Sequence, residues 1–272
     1  MTRRSHLAAA GAVLLGVMLC VAARPAAADE YGAPAPQAAV PAAPTPASDW
    51  SFGIDLTYAT KYIWRGINTV NGSVFEPSVT LGYKGFALNV WGNMDLSDVN
   101  GHSDHFTELD YTLSYGWSTD DLSFGVGAIH YVFPHTGAPD TTEIYGAVGL
   151  NDALAPTLTV YQDIDATHGT YATLGVSHTF TDVWKPSDGV SMGVALTGTV
   201  GFGTAKNNKF YFGVDHAAAD NVLVTVGLPI QIGAHWKLTP ALNYSALLAH
   251  DIRDSMRHPD NLCPCLTLSR SF

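Results

Sequence analysis

From Trp50 onward, apolar and polar residues alternate with a period of two, the pattern of a strand with one apolar and one polar face. Phe52, Ile54, Leu56 and Tyr58 share one face of the first such segment, and Ser51, Asp55, Thr57 and Lys61 share the other. Near residues 106–117, Leu109, Tyr111, Leu113, Tyr115 and Trp117 alternate in the same way with Glu108, Asp110, Thr112 and Ser114. The rhythm predicts twelve strands, over residues 51–62, 73–83, 86–95, 105–117, 121–133, 141–150, 156–165, 169–180, 189–203, 221–233, 235–249 and 262–272. Most come close to the ~9–11 residues with which a tilted strand crosses a bilayer.

The connections between these segments sort by parity. After the second, fourth and tenth they are tight (Lys84-Gly85, residues 118–120, Ala234), and after the sixth and eighth they are modest, with Pro156 and Pro186. After the odd-numbered segments they are longer and more polar: residues 63–72, 96–104, 134–140, 204–220 and 250–261, with a tight turn near His168 as the exception. A soluble sandwich has no reason to sort its loops this way, whereas an outer-membrane barrel with both termini in the periplasm does. The expected fold is therefore all-β, an antiparallel transmembrane β-barrel of about twelve strands over residues 49–272. Within the 204–220 connection, Phe210 to Val214 has the character of a short extra strand, which would change the count.

Aromatic placement supports the same reading. Trp50, Trp117, Trp184 and Trp236 fall at the predicted periplasmic ends and Trp64 at the external end of the first strand, as interfacial girdles require. Trp91 alone falls mid-strand. Phe272, with Leu268 and Leu266 in phase, resembles the C-terminal aromatic signal of bacterial outer-membrane barrels, although Arg270 and Pro264 depart from it.

Before the strands, Arg3 and Arg4 precede an apolar stretch from about Leu7 to Ala22, then Arg24, Pro25 and Ala26 to Ala28. Residues 1–28 are read as a secretory signal peptide cut after Ala28, in preference to a retained anchor helix or to lipidation at Cys20, which Leu19 disfavours. Residues 29–48 carry Pro34, Pro36, Pro41, Pro44 and Pro46 among alanines and are read as an extended linker.

Composition narrows the function classes. With 13 Lys+Arg against 24 Asp+Glu the chain is acidic, which argues against nucleic acid as a partner. Its 47% hydrophobic share never forms, beyond the N-terminus, a run of the ~20 apolar residues that a spanning helix needs. Any crossing of a membrane must use strands.

The stretch Tyr62-Ile63-Trp64-Arg65-Gly66-Ile67 resembles the aromatic-Arg-Gly motif that opens the TorF-type porins, a family of uncharacterised bacterial outer-membrane barrels. The similarity extends along residues 50–272, while the Pro-rich linker and Cys263-Pro264-Cys265 depart from it. The resemblance implies a barrel with a transport role and no established substrate.

With apolar faces toward lipid, the opposite phase points inward Asp55, Thr57, Lys61 and Arg65, then Glu76 and Ser78, then Asn89, Trp91, Asn93 and Asp95. Glu108, Asp110, Glu143, Tyr145, Tyr161 and Asp163 follow from the later strands. These are the candidate pore-lining residues, and their mainly acidic character predicts a cation-preferring or weakly selective channel. The bland alternative is that Arg65 pairs with Glu76 or Glu108 to neutralise charge inside a filled barrel.

The expected activity is thus a porin-like channel for passive diffusion of small hydrophilic solutes or ions in the bacterial outer membrane. The alternatives are a non-conducting adhesion or structural barrel acting through its loops, and a barrel lipid hydrolase. No G-x-S-x-G elbow marks a nucleophile, and His130 and His178 lie within strands, so no catalytic residue is expected. His102, His105, His135, His168, His216, His250 and His258 fall in or beside loops. With Asp95, Asp98 and Asp104 near His102 and His105, imidazole and carboxylate groups could bind a divalent cation there, but the spacing is unrestrictive and neither metal nor cofactor is expected. Cys263 and Cys265 would share one strand face, a poor geometry for a disulfide. Expected partners are outer-membrane lipid, the barrel assembly machinery and small solutes or ions; a homo-oligomer is left open.

Overall fold

The computed structural model describes residues 49–272. The signal peptide and linker read from residues 1–28 and 29–48 lie outside the described residues. The chain forms β1 (Trp50–Ala59), β2 (Tyr62–Trp64), β3 (Ile67–Val70), β4 (Val74–Tyr83), β5 (Phe86–Asp95), β6 (Phe106–Ser118), β7 (Leu122–Val132) and β8 (Thr141–Leu150). These are followed by β9 (Thr157–Asp163), β10 (Thr170–Ser187), β11 (Val190–Gly203), β12 (Ala218–Gly227), β13 (Ile230–Ile232), β14 (Trp236–Leu247) and β15 (Asp260–Ser271). Short helices occupy Ala205–Phe212 and His250–Ser255.

Apart from β2, β3 and β13, the strands form a ring of twelve, each antiparallel to its neighbours. The first and last pair with each other, from Gly53 opposite Ser271 to Ala59 opposite Cys265, so the sheet closes on itself and keeps no free edge. The fold is a closed twelve-stranded antiparallel barrel. Asp49 and Phe272 lie at one end, called here the terminal end; the longer connections crown the far end.

Alternation decides what each face meets. Leu88, Leu113, Leu158 and Leu174 are 49%, 57%, 45% and 53% exposed, while Thr112, Ser114, Thr159 and Thr173 are buried. The usual inside-out order of a soluble protein is reversed: the apolar side chains form the outer belt and the hydroxyls face the axis. Trp50, Trp117, Trp184 and Trp236 are exposed near the terminal end. Among the described residues no helix is long and apolar enough to cross a membrane.

The structure departs from the sequence expectation in several places. The strand expected to end at residue 180 runs on to Ser187, so Pro186 lies within β10 and not in a connection. The first strand ends at Ala59, and β2 and β3 form a separate hairpin. Trp64 is 1% exposed inside that hairpin's packing and belongs to no girdle. The segment expected at 221–233 breaks after Gly227, where Pro229 has no N–H to donate; its carbonyl instead accepts the Gly193 N–H at 2.8 Å, and β13 resumes pairing with β11 and β14. Phe210 to Val214 forms no strand. The run Ala205–Phe212 is helical and stops at Gly213, whose φ of 72° is the left-handed C-terminal conformation that glycine tolerates.

Candidate functional site

The far half of the lumen is occupied by the chain itself. The β2–β3 hairpin turns through Arg65 (φ 44°) and Gly66 (φ 88°), two successive left-handed residues that make a tight turn matched to strand twist. Tyr62, Trp64, Ile67 and Val70 are buried against Phe212, Leu247, Ile252 and Cys263. This apolar knot draws in the hairpin and both helices, because the polar lumen offers no other place to hide those side chains from water. A Cβ on Gly66 would lie 2.6 Å from Leu247 Cδ2 and 2.7 Å from Asn221 Cβ, so the hairpin tip rests directly on the β12–β14 wall.

From that tip Arg65 reaches to β8. Its Nη1 and Nη2 donate to Glu143 Oε1 and Oε2 at 2.9 and 2.7 Å, a bidentate pair with both side chains under 5% exposed. The guanidinium carbon also sits 4.4, 5.0 and 4.1 Å from the ring centres of Trp64, Tyr161 and Tyr171. Since β8 lies four strands along the ring from β12, the hairpin tip and Arg65 together bridge two separated walls. The expectation that Arg65 pairs with Glu76 or Glu108 is corrected: Glu143 holds it. Glu108 accepts from the Tyr62 hydroxyl at 2.9 Å instead.

Further bonds fix the surrounding side chains. Tyr131 donates to Glu143 at 2.8 Å and Tyr171 to Asn221 at 2.8 Å. Thr141 donates to Asp163 at 2.8 Å, and Asn93 to Asp95 and Thr107 at 2.9 and 2.8 Å. Asn208 of the far-end helix donates to Asp220 at 2.9 Å. Trp91 packs on Tyr62, and Tyr145 on Tyr161, with ring centres 5.7 and 5.5 Å apart.

All the candidate residues on strands take the inner face. Glu76, Trp91, Asn93, Glu108, Asp110, Glu143, Tyr145, Tyr161 and Asp163 gather in the far half around the Arg65 bridge. Asp55 sits at mid-height on β1, Asn89 lies below Trp91 with its amide on Ser78 and Thr80, and Lys61 donates to Asn261 at 3.3 Å near the far rim. None of these three meets Arg65. Sequence reasoning missed Tyr62, Tyr131, Tyr171, Asp220 and Asn221. Tyr171 carried a usable signal, since it falls in phase with Thr173 and Ser177 on the polar side of its strand.

Toward the terminal end the character changes. Thr80, Thr112, Thr159, Thr199 and Thr267 face the axis there, with Asn89 and Asn243, and Thr57 and Thr267 share a hydrogen bond of 2.8 Å. Acidic side chains are thus concentrated in the far half, mostly bonded to neighbours, above a hydroxyl-rich lower half in which Lys237 shares the inner face with Ser269 and Thr267. Cys263 and Cys265 are both free thiols on this inner face. At the far rim, two exposed contacts tie loops together: Lys209 Nζ lies 2.8 Å from Asp215, and His216 Nε2 lies 2.5 Å from Asp251.

No family model and no curated protein sequence matches the chain. Solved structures similar to it include the NanC porin, at 9% identity and a TM-score of 0.46, covering 80% of this chain and 98% of that one. An outer membrane channel from Pseudomonas putida is similar at 12% identity and 0.45, covering 87% and 100%. LpxR from Salmonella typhimurium is similar at 10% and 0.47, covering 81% and 99%.

Proposed function

We propose that the protein is an outer-membrane barrel that works as a narrow porin-like channel for small hydrophilic solutes or ions. The observation that carries this reading is the reversed face pattern, an apolar belt outside a closed barrel whose axis is lined by hydroxyls and amides. An apolar outer belt is stable only in hydrocarbon, and a polar axis is the lining that a water-filled path requires. In this reading the longer connections face the exterior and the termini the periplasm, with residues 1–28 serving as the export signal. Folding in lipid by the barrel assembly machinery goes with that location. The Tyr62 to Ile67 motif keeps the resemblance to TorF-type porins.

The inner-face set Asp55, Lys61, Arg65, Glu76, Asn89, Trp91, Asn93, Glu108, Asp110, Glu143, Tyr145, Tyr161 and Asp163 is proposed to line the path. Carboxylates outnumber cations among them, which supports a mild cation preference. Single-channel recording of the refolded, heat-modifiable protein under a salt gradient tests it. Small ohmic steps with a reversal potential toward cations are expected.

One observation favours a second reading. The Arg65–Glu143 bridge stands where solute would have to pass, so a non-conducting barrel acting through its loops would show no steps from verified folded protein.

A further inference from the structure

A cavity of about 590 Å³ opens at the far end between the β2–β3 hairpin and the connections that follow β5 and β7. Small-molecule sites span roughly 300–1,000 Å³. Tyr62 and Glu108 line it on the barrel side, and Val70, Val99, Phe133 and Phe210 supply apolar surface. Among the described residues lining it there is no Lys or Arg, and His102 is the single group able to turn cationic.

Apart from His102, each side-chain donor around the cavity has an acceptor within the protein. The Tyr62 hydroxyl donates to Glu108, Thr69 to the Tyr62 carbonyl, and Thr107 to Asp95. Thr136 donates to the Phe133 carbonyl, and the Asn100 amide to the Thr69 carbonyl. A ligand that offers only acceptors, or negative charge, therefore meets no fixed cation and few side-chain donors. A cationic donor meets a carboxylate and three aromatic rings, whose faces attract positive charge.

We propose that this cavity is a capture site for small organic cations, with an ammonium head toward Glu108 and Tyr62 and an apolar body against Phe133 and Phe210. As the first stop of a permeating solute it rests on the channel reading; binding itself requires only the folded barrel.

Calorimetric titration of the refolded full chain in detergent at neutral pH, with phenethylamine, 2-phenylethanol and 3-phenylpropionate, tests the assignment. The three share one ring and differ in head charge. The amine should bind roughly tenfold or more tighter than the carboxylate. Glu108→Gln, which keeps an oxygen for the Tyr62 hydroxyl, should weaken the amine by a similar factor and leave the alcohol unchanged. Phe210→Ala, at an exposed helix position, should weaken amine and alcohol alike. If Glu108→Gln fails to give a heat-modifiable band, the wild-type series and Phe210→Ala decide. Equal binding of carboxylate and amine, or no amine binding, overturns the proposal. A barrel that conducts without binding amine loses the capture site and keeps the channel, whereas one that binds amine in silence keeps the site and loses the channel.

Discussion

Arg65 and Glu143 meet through two parallel hydrogen bonds of 2.9 and 2.7 Å inside the far half of the barrel lumen. The pair joins a loop hairpin to a wall strand, so it bears on both stability and passage.

Removing one partner leaves a buried charge without its counter-ion, a loss on the order of 3–5 kcal/mol. Arg65→Ala and Glu143→Gln should each lower the denaturant midpoint of the folded barrel. The double variant should cost less than the sum of the two. In planar bilayers Arg65→Ala should also raise unit conductance, since the side chain that bridges the lumen is gone; an unchanged step size would place the limiting constriction elsewhere.

Gly66 has φ 88° and no room for a Cβ between Leu247 and Asn221. Gly66→Ala is expected to lift the hairpin tip off the β12–β14 wall while the barrel stays closed. Limited proteolysis should then cut near residues 60–73, which the parent protein protects, and conductance should rise as it does for Arg65→Ala.

Leu113 is 57% exposed in the middle of β6 and Thr112 beside it is buried. A charge placed toward lipid at mid-depth costs about 2–4 kcal/mol. Leu113→Arg should therefore depress refolding into lipid vesicles by that amount, whereas Leu113→Ile should be near neutral. A Leu113→Arg variant as stable as the parent would remove the lipid-facing assignment.

At the far rim, His216, in the connection after the Ala205–Phe212 helix, is tied to Asp251 of the His250–Ser255 helix, and both are exposed. The Ala217 carbonyl and, after it, the Asp251 carboxylate hold the His216 imidazole above its ordinary range, and the His216 hydrogen bond holds Asp251 below the usual carboxylate range. A raised imidazole gives its full contribution below the ordinary histidine value and loses it as pH rises through the raised one. A lowered carboxylate contributes above its ordinary value and loses this as pH falls through the lowered one. The tie should thus hold at mildly acidic pH and slacken on either side. Hydrogen exchange over Ala205–Phe212 and His250–Ser255 should be slowest in that window, and Asp251→Asn should flatten the profile.

Cys265 is half-buried on the inner face of β15, while Cys263 is buried with its thiol 3.2 Å from the Lys61 carbonyl. A small cationic thiosulfonate added to folded protein should modify Cys265 first. Mass mapping of the adducts checks the order, and preferential reaction at Cys263 would mean that the far half opens more readily than its packing indicates.

The period-two pattern by itself determined the barrel. Each strand's choice of faces is written in adjacent residues, such as Leu113 against Thr112, and parity of loop length followed from the same rhythm. Alternation also placed Glu143 and Tyr161 inside, because facing on a strand depends only on local phase; Arg65 reaches the lumen from a hairpin turn instead. It did not pair Arg65 with Glu143, which lie 78 residues apart and meet through closure of the ring rather than through any local signal. Nor did it bury Trp64. At the end of a predicted strand a tryptophan reads as an interfacial anchor, and only contacts with Phe212, Leu247 and Ile252, brought in by later loops, turn it inward. The helix at Ala205–Phe212 was hidden for a related reason: its Asn207 and Asn208 are polar in sequence and buried in the fold, where Asp220 and backbone carbonyls satisfy Asn208. Local periodicity fixes which way a side chain points; what it meets there is set by chain segments that only the closed barrel brings together.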